Sequence, residues 1–208
     1  MDNNTISTIK SWLGTGSINL FGPQFCGKDT QGQILKDMFD GALFGGGDIL
    51  RSQQDRADVQ EAMSRGDLAP TDAYREIVIP YFNREEFADK PLFLSSVGRM
   101  HGEENAVMEA ATTSGHPMKA VLLLNLNDNE VWRRYEIANN EKHDRGSRDD
   151  DSDEALKRRL HEWHHNTSKV IDYYRQRSFV LDIDGSPAKE IVTQNIIAAL
   201  HERALSEQ

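Results

Sequence analysis

The sequence predicts an α/β protein with a five-stranded parallel sheet and helices on both faces, and three observations lead there. Short β-like runs alternate with longer amphipathic segments, the pattern produced when each strand of a parallel sheet is followed by a crossover helix. The first apolar run stops at a glycine and passes at once into a helical pattern. With 208 residues and 38% hydrophobic content, the chain can bury one good core.

Taken in order, residues 1–16 precede the first strand, and IKSWL within them either packs as a short helix or hangs free. Strands are expected at 17–21, 42–44, 92–95, 120–126 and 179–183, where β-branched and large apolar residues cluster between turn signals. Helices are expected at 30–38, 48–64, 71–82, 103–114, 129–138, 152–174 and 189–201 from their three-to-four-residue apolar spacing. Internal repeats are absent, and the low-complexity tract is the acidic run 149–154. In such sheets ligands bind at the carboxyl ends of the strands.

The segment 18–31, INLFGPQFCGKDTQ, reads G-x-x-x-x-G-K-x-T between a strand and a helix. Gly22 and Gly27 permit a tight wrap whose N–H groups face inward, the following helix offers its positive N-terminus, and Lys28 brings a point charge. The implied ligand is a nucleoside triphosphate. Asp29 stands where the general motif has a magnesium-binding hydroxyl, with Thr30 one residue later. Two roles are open to Asp29: a metal-facing oxygen, or a solvent-facing helix cap.

Composition narrows the function. A net charge of −10 argues against general nucleic-acid binding. No apolar run approaches the roughly 20 residues that span a bilayer, and the first residues are too polar for a signal peptide; a cytoplasmic protein is expected. The single cysteine, Cys26, forms no internal disulfide and no cysteine-based zinc cluster. Inside the glycine loop it is either a small filler or a thiol whose pKa the helix N-terminus lowers. Arg51, Arg99, Arg134, Arg145, Arg148 and Arg159 lie in or beside turn-rich segments. Drawn into one cleft they would suit a polyphosphate, whereas singly each would be an ordinary surface ion pair.

Four ordered motifs resemble the adenylate kinase type of nucleoside monophosphate kinases over about residues 17–200: the glycine loop leading into Thr30-Gln31, GGGDILR (45–51), MSRGDLAP (63–70) and RDDDSDEALKRRL (148–160). The resemblance implies a three-layer P-loop NTPase fold in a single kinase domain, 17–204. It also implies a small helical monophosphate-binding insertion at about 45–75 and a short lid at about 139–148. It implies transfer of the terminal phosphoryl group of ATP, with magnesium, to AMP, by a monomer. Lys28 with Gly22, Cys26, Gly27, Asp29 and Thr30 would hold the donor phosphates, Arg134 would flank the donor adenine, and Gly185 would lie along that base. Arg51 and Arg99 would hold the acceptor phosphate, and Gly46, Leu68, Ala69 and Glu103 the acceptor nucleoside. Arg148 and Arg159 would converge on the transferring group, and Asp150 would fix the arginines and the lid. The short segment NNEKHDRGS (139–147) lacks the cysteines of zinc-bearing lids.

Departures from the family pattern set the alternatives. Phe25 and Asp29 replace glycines; Ser95 replaces an aspartate that orders hydrated magnesium; Ala138 replaces a phosphate-binding arginine; Gly46 replaces a threonine. Glu103 replaces a base-reading glutamine; an ionised carboxylate only accepts, favouring edges that present donors, such as guanine or cytosine, unless Glu103 is protonated. The alternatives are therefore a kinase for GMP, CMP or UMP, or a nucleotide-binding regulator with weakened catalysis. HEWHH (161–165) also spells the zinc-protease pattern H-E-x-x-H, but no obvious third ligand follows.

Overall fold

In the computed structural model, which describes residues 2–140 and 152–207, five strands form one sheet. They are β1 (Ser17–Phe21), β2 (Ala42–Gly45), β3 (Leu92–Ser95), β4 (Met118–Asn125) and β5 (Val180–Asp184), in the order β2-β3-β1-β4-β5 with every pairing parallel. The expected strand positions agree to within two residues.

Side chains of alternate strand residues enter opposite faces, as the pleat requires. Ile18 and Leu20 of β1, Phe93 of β3 and Ala120, Leu122 and Leu124 of β4 join Leu35 and Phe39 of α2 (Lys28–Phe39) and Ile196, Ile197 and Leu200 of α10 (Lys189–Ser206). On the other face Phe21, Leu92, Leu94, Val121 and Leu123 pack against α6 (Glu104–Thr113) through Val107, Ala110 and Ala111, and against α9 (Ser168–Gln176) through Val170, Ile171 and Tyr174. Both faces are thus covered, which is why the strands read as apolar runs. A smaller cluster joins α7 (Asp128–Asn140) to α8 (Asp153–Glu162) through Val131, Tyr135, Leu156 and Leu160.

The N-terminal segment is a helix, α1 (Asn3–Leu13), with Asp2 accepting from the Asn4 amide at its start. Its buried Ile9 and Leu13 join the α2–α10 cluster, and the Trp12 indole donates to Glu207 at 2.7 Å. Of the two possibilities read from IKSWL, the docked helix is the one realised.

Three expected helices are interrupted, and α10 runs to Ser206, five residues past its expected end. The stretch 48–64 is two helices, α3 (Gly46–Arg51) and α4 (Ala57–Ser64), and the Gln60 amide crosses between them to donate to the carbonyls of Leu50 and Gln53 at 3.2 and 2.9 Å. Open carbonyls at a helix end need such partners. The stretch 71–82 breaks after α5 (Thr71–Ile77) into the 3₁₀ turn Ile79–Asn83, where Pro80 supplies no N–H. Between α8 and α9 the chain makes one wide π-helical turn, Trp163–Thr167, which Trp163 packs against the core.

Because Leu13 is almost fully buried in the α2–α10 cluster, Leu13→Ala should destabilise the fold by about 2–5 kcal/mol. A urea unfolding curve would reveal it, and an unchanged midpoint would mean that α1 is not docked.

Candidate functional site

The carboxyl ends of β1, β2 and β3 meet in one cleft. At the end of β1, Gly22 is closed in on two sides: a Cβ there would stand 2.8 Å from the Leu124 carbonyl oxygen and closer still to Cys26 Sγ. Gly27, at φ +88°, caps α2 in the left-handed region that glycine adopts freely. Between them Phe25 holds the same region at φ 61°, at a cost of about 1–2 kcal/mol for an L side chain. Its ring offsets that cost by meeting Tyr135 edge-on, 5.7 Å between centroids, in the α7–α8 cluster.

The loop is tied from below and from the side. Cys26 is buried, and burial raises its thiol pKa despite the nearby Lys28; of the two roles open to it, the filler fits and the low-pKa thiol does not. Arg134 spreads its guanidinium over three carbonyls, those of Phe25 (3.1 Å), Gly185 (2.9 Å) and Ser186 (2.9 Å), while its Nε donates to Glu130 at 2.8 Å. Hydrogen bonds from Arg133 and Arg134 hold the Glu130 carboxyl at a pKa of about 2. The Gly185 amide in turn donates to the Asn125 carbonyl at 2.8 Å. Arg134 therefore stitches the glycine loop to the loop after β5.

On the opposite side, β3 ends in a sharp turn, with Ser96 at φ 50° and Gly98 at φ 77°. Two buried polar groups fix it. The Asn19 amide brackets Val97, donating to its carbonyl (2.8 Å) and accepting from its N–H (3.3 Å), and Tyr74 Oη accepts from the Gly98 amide at 2.6 Å. The turn delivers Arg99, whose pKa burial lowers and whose charged neighbours are Glu162, Glu103 and Arg51. On α3, Arg51 donates to Asp48 at 2.6 Å.

The resulting cleft is lined by Gln24 of the loop, Lys28 and Asp29 at the start of α2, Asp48 and Arg51 of α3, Ser95 at the end of β3 and Arg99 beyond it, Gly66 and Asp67, and Arg159 of α8. One lysine and three arginines thus face a common space, the donor set that polyphosphate oxygens match. Asp29 stands in the first turn of α2, and its carboxylate takes a short hydrogen bond from the Ser95 hydroxyl. Gln24 Oε1 is buried with no donor among the described residues. A smaller slot adjoins the cleft, formed by Gly46, Leu50, Met63, Leu68, Ala69, Tyr74, Arg99 and Glu103. The turn carrying Leu68 docks on α8: a Cβ on Gly66 would lie 2.6 Å from the Ala155 carbonyl oxygen, and Arg158 binds Asp67 at 3.0 Å.

Of the residues singled out in the sequence, Lys28, Asp29, Arg51, Arg99 and Arg159 share the cleft, and Gly46, Leu68, Ala69, Arg99 and Glu103 share the slot. Gly22 and Cys26 underlie the loop, Thr30 is exposed on the first turn of α2, and Arg134 and Gly185 flank the loop. Arg145, Arg148, Asp150 and most of the segment 139–148 lie outside the described residues. The sequence reading missed Asn19, Gln24, Asp67 and Tyr74. Asn19 alone carried a signal, as a polar residue inside an apolar strand.

The H-E-x-x-H pattern straddles the π turn. His161 and His165 stack face to face at 3.9 Å, His165 Nδ1 is held by the His161 carbonyl, and His164 pairs with Asp128 at 3.0 Å. Among the described residues no group of three or more His, Cys, Asp or Glu is arranged to hold a metal.

Comparison with known proteins agrees with this geometry. The adenylate kinase family profile matches residues 20–179. The chain is 31% identical over 186 residues to a protein of Xanthomonas euvesicatoria pv. vesicatoria named adenylate kinase, covering 87% of this chain and 97% of that protein. It is 28% identical over 193 residues to the adenylate kinase of Thermus thermophilus (88% and 96%) and 26% identical over 204 residues to that of Fusobacterium nucleatum (87% and 96%). A glycine loop, an arginine-lined cleft and a matching profile over most of its length make this chain a member of the adenylate kinase family.

Proposed function

We propose that the protein transfers the terminal phosphoryl group of ATP to AMP, giving two ADP. The observation that carries the reading is the convergence of Lys28, Arg51, Arg99 and Arg159 on one cleft with a base-sized slot beside it. Phosphoryl transfer asks for little covalent help; it needs in-line alignment and fixed positive charge around oxygens that gain charge in the transition state. Lys28 and the loop amides hold the donor phosphates. Arg51 and Arg99 hold the acceptor phosphate, and Arg159, which lines the same cleft, meets the transferring group. The segment around α3, α4 and α5 serves as the acceptor-binding insertion, and Arg134 with Gly185 as the border of the donor base.

Magnesium, when bound with the nucleotide, neutralises phosphate charge and orders the oxygens for transfer. The oxygens suited to its hydration shell here are the Asp29 carboxylate with its Ser95 partner and the buried, donorless Gln24 Oε1. Asp29 thus supplies, from the loop, the carboxylate that Ser95 lacks. Among the described residues one copy of the chain supplies Lys28, Arg51, Arg99 and Arg159 to the cleft, which supports a monomer, and a single cysteine suits the cytoplasm.

The direct check is phosphoryl transfer from ATP and magnesium to AMP, GMP, CMP and UMP. Lys28→Ala should lose turnover. Arg99→Ala should lose transfer by at least about a hundredfold, as expected for a charge that acts chiefly in the transition state, while ATP affinity stays near the original value. Absence of turnover with every acceptor, despite ATP binding, would turn the reading to a nucleotide-binding regulator. Asp29→Gly should raise the magnesium concentration needed for half-maximal rate, and an unchanged requirement would remove Asp29 from the metal's surroundings.

A further inference from the structure

The slot beside the cleft is lined by the apolar Leu50, Met63 and Leu68 and by the polar Asp67, Tyr74, Arg99 and Glu103. Glu103 is only 2% exposed. It lies four residues beyond Arg99, in the turn that leads into α6, and its Oε2 accepts from the Met100 amide at 3.1 Å. A planar ring held among these apolar side chains, with its phosphate on Arg99, would share the slot with this carboxyl group. Resting on the kinase reading above, we propose that Glu103 reads the acceptor base and that gain or loss of its proton changes which base is accepted.

The chemistry follows from donor and acceptor counts. A neutral carboxylic acid offers one O–H donor and one carbonyl acceptor, which match the ring nitrogen acceptor and the amino donor on the pairing edge of adenine. A carboxylate offers acceptors only, which match the adjacent ring N–H and amino group of guanine. The oxygen that takes the Met100 amide keeps a second lone pair for either partner. A mismatch leaves a buried donor or acceptor unpaired, which is how a polar site discriminates strongly.

The surroundings of Glu103 put both forms within reach near neutrality. Burial raises its pKa to about 7, the Met100 and Arg99 amides and the Arg99 charge pull it down, and Glu104 pushes it up. Glu104, also buried, takes the Gly102 amide at 2.7 Å and faces His101 at 3.2 Å. From α5 the Tyr74 hydroxyl faces the same site, its own pKa raised well above the ordinary value by burial; Asp67 lines the slot, and Glu162 and Arg51 act on Arg99. For a carboxyl group so raised, the proton is held below about pH 7 and lost above it.

The test is the ratio of kcat/KM for AMP to that for GMP across pH 6 to 8.5. Both acceptors carry the same phosphate, so its titration and any general loss of activity cancel. In the unaltered protein the ratio should fall by more than about tenfold as pH rises, whereas in Glu103→Gln, which always offers one donor and one acceptor, it should stay high and flat. Calorimetric titration with AMP at pH 8 in buffers of different ionisation enthalpy should register uptake of close to one proton in the unaltered protein and none in Glu103→Gln. A flat ratio with AMP still phosphorylated, or AMP binding without proton uptake, would overturn the role of Glu103 alone. Absence of transfer to every nucleotide at every pH would overturn the kinase reading with it.

Discussion

The way β1 ends sets the geometry on which the cleft depends. This strand has neighbours on both sides and helices on both faces, so its course is fixed by the most buried contacts in the molecule. At its last turn Gly22 lies against the Leu124 carbonyl and the Cys26 side chain with no room for a Cβ. The chain must rise over the end of the sheet as bare backbone. That places the loop amides and Lys28 at the amino end of α2, where the helix dipole adds to their charge. Asn19, in the same strand, reaches sideways to hold Val97. One buried strand thereby positions both the loop and the turn that carries Arg99.

The charges at the cleft are arranged for an anionic visitor. Arg51, which lines the cleft, is held by Asp48, while around its rim Arg134 ties down the glycine loop and Arg158 ties Asp67 to α8. These contacts set side-chain positions in advance, so less ordering is left for the moment of binding. Arg99 differs: it is delivered by a strained turn into a partly buried place, where burial works against its charge. A bound phosphate would answer that unfavourable burial, because a guanidinium matches phosphate oxygens with two parallel hydrogen bonds.

Sheet, strand positions and glycine loop were legible because they rest on local signals: apolar runs of strand length, glycines at required bends, a lysine at a helix start. The segments that formed less regularly answer to tertiary contacts. Gln60 satisfying the carbonyls of α3, Pro80 ending α5, and Trp163 drawing a wide turn toward the core carry no periodic signature. At the site, charged residues flagged themselves by type, and Arg51, Arg99 and Arg159 do share a cleft. Arg134 illustrates the limit: its type and place on the chain marked it for the site, but no local pattern announces that its guanidinium also joins the backbone of two loops to Glu130. The orientation of Asp29 toward Ser95 and the burial that lifts the Glu103 pKa depend on neighbours 66 residues away or on packing, and neither is written in local sequence.

The central claim is that donor and acceptor phosphates occupy one continuous space. It is tested most directly by calorimetric titration with a molecule that joins two adenosines through five phosphates. The account predicts one molecule per chain, bound at least about a hundredfold more tightly than ATP or AMP alone, since linking two ligands makes the second binding step intramolecular. Affinity no better than that of ATP, or two molecules per chain, would contradict it.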